Sequence, residues 1–110
     1  EDIVQRYSIN GGSQVTVIRP FKGGVYAALV EMQQGEYPAA GELAINRNRQ
    51  EQIYLLDGSL TVKFGERTFI LNAGETMLLT PNTPYHLSGS CRTLVIVEDQ
   101  ANGRTEIVPN

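Results

Sequence analysis

Residues 51 to 86 constrain the chain most. Between Glu51-Gln52-Ile53-Tyr54-Leu55-Leu56-Asp57-Gly58 and Pro81-Asn82-Thr83-Pro84-Tyr85-His86 lie three short apolar runs, 59–64, 68–71 and 76–80, parted by Gly65-Glu66 and Asn72-Ala73-Gly74-Glu75. Each run is too short for a packed helix and is rich in Val, Ile, Leu, Thr, Tyr and Phe, which fit a pleated, half-buried surface. The pattern predicts strands over 51–57, 59–64 and 67–71 in a hairpin series with a turn at Asp57-Gly58. A buried strand through Met77, Leu78 and Leu79 follows, and Pro81 and Pro84 stiffen the turn that presents Tyr85 and His86. This is an all-β meander.

The flanks read the same way. Ile3 to Ile9 and Gln14 to Arg19 alternate around Asn10-Gly11-Gly12-Ser13, which predicts an N-terminal strand pair. Phe21-Lys22-Gly23-Gly24 makes the next turn. Val25 to Met32 is apolar enough to be a strand buried on both faces, and Gly35 to Gly41, with Pro38, breaks the pattern as a loop. Glu42 to Gln52 is the most polar stretch. Arg92 to Glu98 is a late apolar strand, Asp99-Gln100-Ala101-Asn102-Gly103 a turn, and Thr105 to Val108 a last edge strand.

The central spacing resembles that of the cupin family. The first motif of that family ends in a Glu or Gln, six residues and a Gly, as Glu51 and Gly58 do here; the second is a Gly, a strand and Pro-x-Gly-x-x-His, matched by Gly74, Pro81 and His86 with Thr83 in place of the glycine. The resemblance implies a single antiparallel cupin barrel of the jelly-roll type, one domain over 1–110, with a site in its mouth. It also implies that Glu51 and His86 face inward, leaving Tyr85 outward. Family members usually hold a metal through a His-x-His pair, the Glu or Gln and the second-motif His. Here the pair would fall on Ala44 and Asn46, or on Ile45 and Arg47, and neither register has a histidine; the chain has one His. No tightly held metal is therefore expected. Glu51 and His86, with Asn46 and waters, would hold a divalent cation only weakly.

In place of the missing ligands stand Asn46, Arg47, Asn48 and Arg49. One reading is a solvated loop whose arginines pair with Glu42 and Glu51; the other is a mouth that has exchanged a cation for guanidinium groups able to grip a carboxylate or phosphate. A carboxylate inside an apolar barrel is costly unless paired, so Glu51 is expected beside Arg47, Arg49 or His86, or with a raised pKa. The leading functional reading is a pocket for a small anionic or carbohydrate-like molecule. There Glu51 and His86 serve as acid and base of an isomerase, epimerase or lyase, and Arg47, Arg49 and Asn46 bind substrate. A non-catalytic binding or sensing module and a metal enzyme with a reduced ligand set stand beside it.

Charge excludes other classes. Nine basic and twelve acidic residues give a net charge of -3, with no basic footprint for nucleic acid or anionic lipid. No apolar stretch approaches the roughly 18 residues of a membrane-spanning helix, and a cytoplasmic location is expected. Phosphate loops, nucleophile elbows and zinc-protease helices are absent from the sequence. Cys91, the one cysteine, reads as a small core residue. A homodimer is expected, covering edges at 3–9 and 105–108.

Overall fold

The computed structural model describes the backbone of residues 4–9, 13–18 and 24–110, with side chains for 14–17 and 24–110. The expected turns at 10–12 and 21–23 lie outside the described residues. Among the described residues seven strands form: β1 (Val4–Ile9), β2 (Ser13–Ile18), β3 (Val25–Tyr37), β4 (Glu42–Phe64), β5 (Arg67–Asn72), β6 (Thr76–Leu79) and β7 (Tyr85–Pro109). They make one antiparallel sheet in the order β1-β2-β3-β7-β4-β5, with β6 on β4. Among the described residues no helix is long and apolar enough to cross a membrane.

Two long strands organise the sheet. β4 and β7 pair from Glu42↔Pro109 to Phe64↔Tyr85, and Ala44 also pairs with Tyr85. Both ends of β4 therefore flank one residue of β7, which curls the sheet on itself and encloses a core containing Val15, Val17, Ala44, Ile53, Leu60, Val62, Leu79 and Val95.

The inner face is set by where alternation holds and where it slips. In a strand, residues two apart share a face, so one extra residue exchanges the faces beyond it. β3 turns Tyr26, Ala28, Val30 and Met32 inward, slips between Met32 and Gly35, and then turns Tyr37 inward. β4 buries Ala44 and Asn46, slips between Arg47 and Arg49, continues inward with Arg49, Glu51, Ile53 and Leu55, slips again between Leu55 and Asp57, and resumes at Leu60 and Val62. Each slip has a residue in the left-handed region at or beside it: Gln34 (φ 48°), Asn48 (φ 52°) and Gly58 (φ 82°).

Two expectations are corrected by these slips. Asp57-Gly58 is no hairpin turn; the ladder runs through it, because a Cβ on Gly58 would meet the Ser90 carbonyl, and only glycine lets β7 approach so closely. The polar stretch 42–50 is strand rather than loop. Its charged side chains pair across the ladder, Arg47 with Glu106 and Arg49 with Asp99, so they do not oppose strand formation. The turn expected at 99–103 is instead an irregular part of the continuous β7: pairing jumps from Arg49↔Asp99 to Arg47↔Arg104, with Asn48 Nδ2 donating to the Ala101 carbonyl. Residues 105–108 pair with 43–46 and are no free edge.

Candidate ligand-binding site

A cavity of about 250 Å³ lies inside the barrel, bounded by β2, β3, β4 and β7. Its walls are mostly Val, Leu, Ile, Ala and Met; Arg49, Glu51, Tyr85 and Thr105 form a polar group on one part of the wall, and Thr93, Tyr26 and Tyr37 also line the space.

The slip at Asn48 brings this end together. Asn46 and Glu51 are five apart, and unbroken alternation would put them on opposite faces. With the extra residue between them, Asn46 Nδ2 donates to Glu51 Oε2 at 3.1 Å. Asn46 is 1% exposed, and its Oδ1 accepts from Thr105 Oγ1 at 2.8 Å and from the Tyr85 hydroxyl at 3.3 Å. Thr105 Oγ1 in turn accepts from Arg49 Nη1 at 2.7 Å. A directed chain results: Arg49 donates to Thr105, Thr105 to Asn46 and Asn46 to Glu51, and such chains polarise and strengthen one another. Asp99 holds the other end, receiving Arg49 Nε at 2.6 Å and Nη2 at 3.3 Å.

Burial pushes the Glu51 carboxyl above the usual glutamate range, partly offset by Asn46, Arg49 and Tyr85. Burial, and then the nearby Glu51 charge, raise Tyr85 well above the usual phenol value, which keeps its hydroxyl protonated as a donor. Burial is the largest influence on Arg49 and works against its charge, but the bond to Asp99 together with the nearby Tyr26, Asp99 and Glu51 outweighs it and the pKa is raised. Burial raises the Cys91 thiol as well, in keeping with a core role.

Of the residues expected at the site, Asn46, Arg49 and Glu51 meet as described. Arg47 and His86 do not. Arg47 turns the other way, its Nε on Glu106 Oε1 at 3.0 Å and its Nη1 on Asn82 Oδ1 at 3.0 Å. His86 is outside the cavity lining, with Nε2 3.1 Å from Glu36 Oε1 but misaligned for a hydrogen bond. Tyr85, expected outward, is 2% exposed and faces the cavity. The reason is that β7 keeps odd-numbered residues inward from Tyr85 and Leu87 through Thr93 and Val95 to Val97, so His86 falls on the other face. Nor does Glu51 pair directly with an arginine: the guanidinium of Arg49 reaches it through Thr105 and Asn46.

This donor set fits a transition metal poorly. Ala44 offers no ligand, both polar atoms of Asn46 are engaged within the chain of hydrogen bonds, and His86 is on the other face. Among the described residues no three His, Cys, Asp or Glu side chains converge. Among the described residues Glu51 alone remains on the cavity wall, and a single carboxylate is too small a ligand set to hold a transition metal.

Tyr85, Thr105, Asp99, Tyr26 and Tyr37 were not expected at the site. Period-two counting back from Val97 through Val95 and Thr93 to Tyr85 carries the signal for the first; Thr105 and Asp99 depend on pairing across 50 or more residues and have no local signature.

The sequence matches no family model and no curated protein. Solved structures do resemble the fold. Pac13 from Streptomyces, described as a nucleoside dehydratase and solved with uridine in variant forms, is 16% identical with a TM-score of 0.78, covering 98% of this chain and 88% of its own. The cupin domain of Schizosaccharomyces pombe Cnp3 is 13% identical with a TM-score of 0.67, over 82% of this chain and 66% of its own. KdgF from Halomonas is 11% identical with a TM-score of 0.67, over 87% and 86%. With an antiparallel sheet closed on itself and this likeness to solved cupin structures, the chain has the fold of a cupin β-barrel.

Proposed function

We propose that the protein binds a small organic molecule in the barrel and moves a proton on it, as a lyase or isomerase, with Glu51 as acid and base and no tightly held metal. The observation that carries this reading is the placement of Glu51: a carboxyl with a raised pKa on the wall of an otherwise apolar cavity, oriented by Asn46 and Tyr85. A carboxyl moved toward neutral pH exchanges protons more effectively there than one at its ordinary value. Tyr85, whose hydroxyl donates to Asn46 Oδ1 across a long 3.3 Å, would exchange that bond for one to a developing oxyanion, and Arg49 acts through the hydrogen-bond chain. Pac13, a barrel of the same fold described as a dehydratase, supports this class of chemistry.

The test is solvent exchange. Whatever copurifies in the cavity is identified by native mass spectrometry and incubated in D2O with the protein. Deuterium uptake into the ligand that disappears in Glu51→Gln supports the reaction; uptake that persists in Glu51→Gln refutes it.

One feature favours a non-catalytic binding module: among the described residues Glu51 is the only carboxylate on the cavity wall, and no histidine joins it. That reading expects ligand binding with no exchange in either protein. A second copy of the chain is the proposed partner at β1, whose only described neighbour is β2. A dimer mass by light scattering checks it.

A further inference from the structure

We infer that the cavity takes an organic ammonium ion, an amine with a compact apolar body, and rejects carboxylates and phosphates; this rests on the ligand-binding part of the reading above and names its ligand class.

The charge count at the polar end comes first. Arg49 is the one cationic side chain on the cavity wall among the described residues, and it is already committed. Two of its nitrogens are on the Asp99 carboxylate and a third is on Thr105. Its planar fork is the feature by which arginine grips a carboxylate or phosphate, and here Asp99 occupies it. Arg47, the other candidate anion clamp, is held on the outer side by Glu106 and Asn82. Two carboxylates, Asp99 in direct contact and Glu51 through Thr105 and Asn46, thus share one guanidinium, leaving one negative charge to be balanced when Glu51 ionises. An anion would add a second unbalanced charge at a partly buried site, whereas a monocation would neutralise the first.

The aromatic residues agree. Tyr26, Tyr37 and Tyr85 line the same cavity as Glu51, with the Tyr37 and Tyr85 ring centroids 6.4 Å apart and Tyr26 close enough to Arg49 to feel its charge. Several rings around one carboxylate is a combination that suits ammonium groups, which are attracted to ring faces. The rest of the wall, from Val15 and Val17 to Val95 and Val97, offers few hydrogen bonds and asks for hydrocarbon. A carbohydrate would leave its hydroxyls unpaired against it.

The experiment compares three probes of one shape, benzylamine, benzyl alcohol and benzoate, by NMR titration at pH 7 against the intact protein. Benzylamine is expected to bind about tenfold or more tighter than the alcohol, the equivalent of about 1.4 kcal/mol, with no benzoate binding. In Glu51→Gln the preference of amine over alcohol should vanish. In Asp99→Asn, where the Arg49 fork is released, benzoate should begin to bind. Benzoate binding to the unaltered protein as tightly as benzylamine overturns the inference, as does an amine preference that survives Glu51→Gln or an Asp99→Asn protein that still refuses benzoate. If one variant fails to fold, the probe comparison on the unaltered protein and the other variant still decide. Binding is read without turnover, so amine selectivity with no deuterium exchange sinks the proposed reaction alone, and exchange together with anion binding sinks this inference alone.

Discussion

β4 and β7 pair with one another over most of their length, yet they place side chains by different rules. β7 keeps strict alternation from Tyr85 to Val97, and its inner face there is smooth and largely apolar. β4 breaks alternation twice, at Asn48 and near Gly58, and the polar end of the cavity forms beside the first break. The regular strand supplies a wall. The irregular one supplies the site, because only a change of face allows Asn46 and Glu51 to meet.

The largest test removes a break. Gly58→Val places a branched side chain at φ 82° and against the Ser90 carbonyl, and the expected loss is about 3 kcal/mol or more, read as a lower urea midpoint. A loss under 1 kcal/mol, roughly that of an ordinary surface change, would show that the slip is tolerated without glycine. Next comes Asn46→Ala, which leaves Glu51, Thr105 and Tyr85 without their shared partner; about 2 kcal/mol of stability should disappear, with ligand binding weakened as well. Unchanged binding would mean the chain of hydrogen bonds does not hold Glu51.

Glu51→Gln should change the slope of stability with pH. The native pKa of Glu51 lies above the ordinary value near 4.5, so the folded protein holds this proton to higher pH than the unfolded chain does. Its contribution is complete below that ordinary value and is lost as pH rises through the native pKa. Relative to Glu51→Gln, the unaltered protein should therefore lose stability on going from acid to neutral pH, as measured by urea midpoints across the range. Parallel curves would argue against a raised pKa. The smallest effect belongs to the face that β7 turns away from the cavity: His86→Ala removes a partly exposed contact with Glu36 and should alter stability and probe binding by less than about 1 kcal/mol. A large loss of binding in that variant would put His86 at the site after all.

Much of this architecture was legible. The strands at 59–64, 67–72, 76–79 and 92–98 follow from apolar runs bounded by Gly, Asn, Asp and Pro, and the inward course of Glu51, Ile53 and Leu55 follows from alternation. Motif spacing placed Glu51 correctly and His86 wrongly, since a motif carries an expected register while the chain between Pro81 and Tyr85 sets the actual one. Nothing local marked 42–50 as strand, because its charges are balanced by Asp99 and Glu106, 50 and 59 residues away. Long-range pairing of this kind is also what hid Thr105 and Asp99.

The direction of the chain from Arg49 to Glu51 bears on where a proton sits. With Thr105 and Tyr85 both donating to Asn46 Oδ1, its Nδ2 is left to present hydrogen to Glu51 Oε2. An oxygen receiving that N–H cannot also carry an acidic hydrogen pointed along the same line. The Asn46 N–H favours the carboxylate form of Oε2, so a proton on neutral Glu51 is biased toward Oε1. The two oxygens of one carboxyl are thus inequivalent before any ligand arrives, and proton delivery and removal are biased toward the same atom.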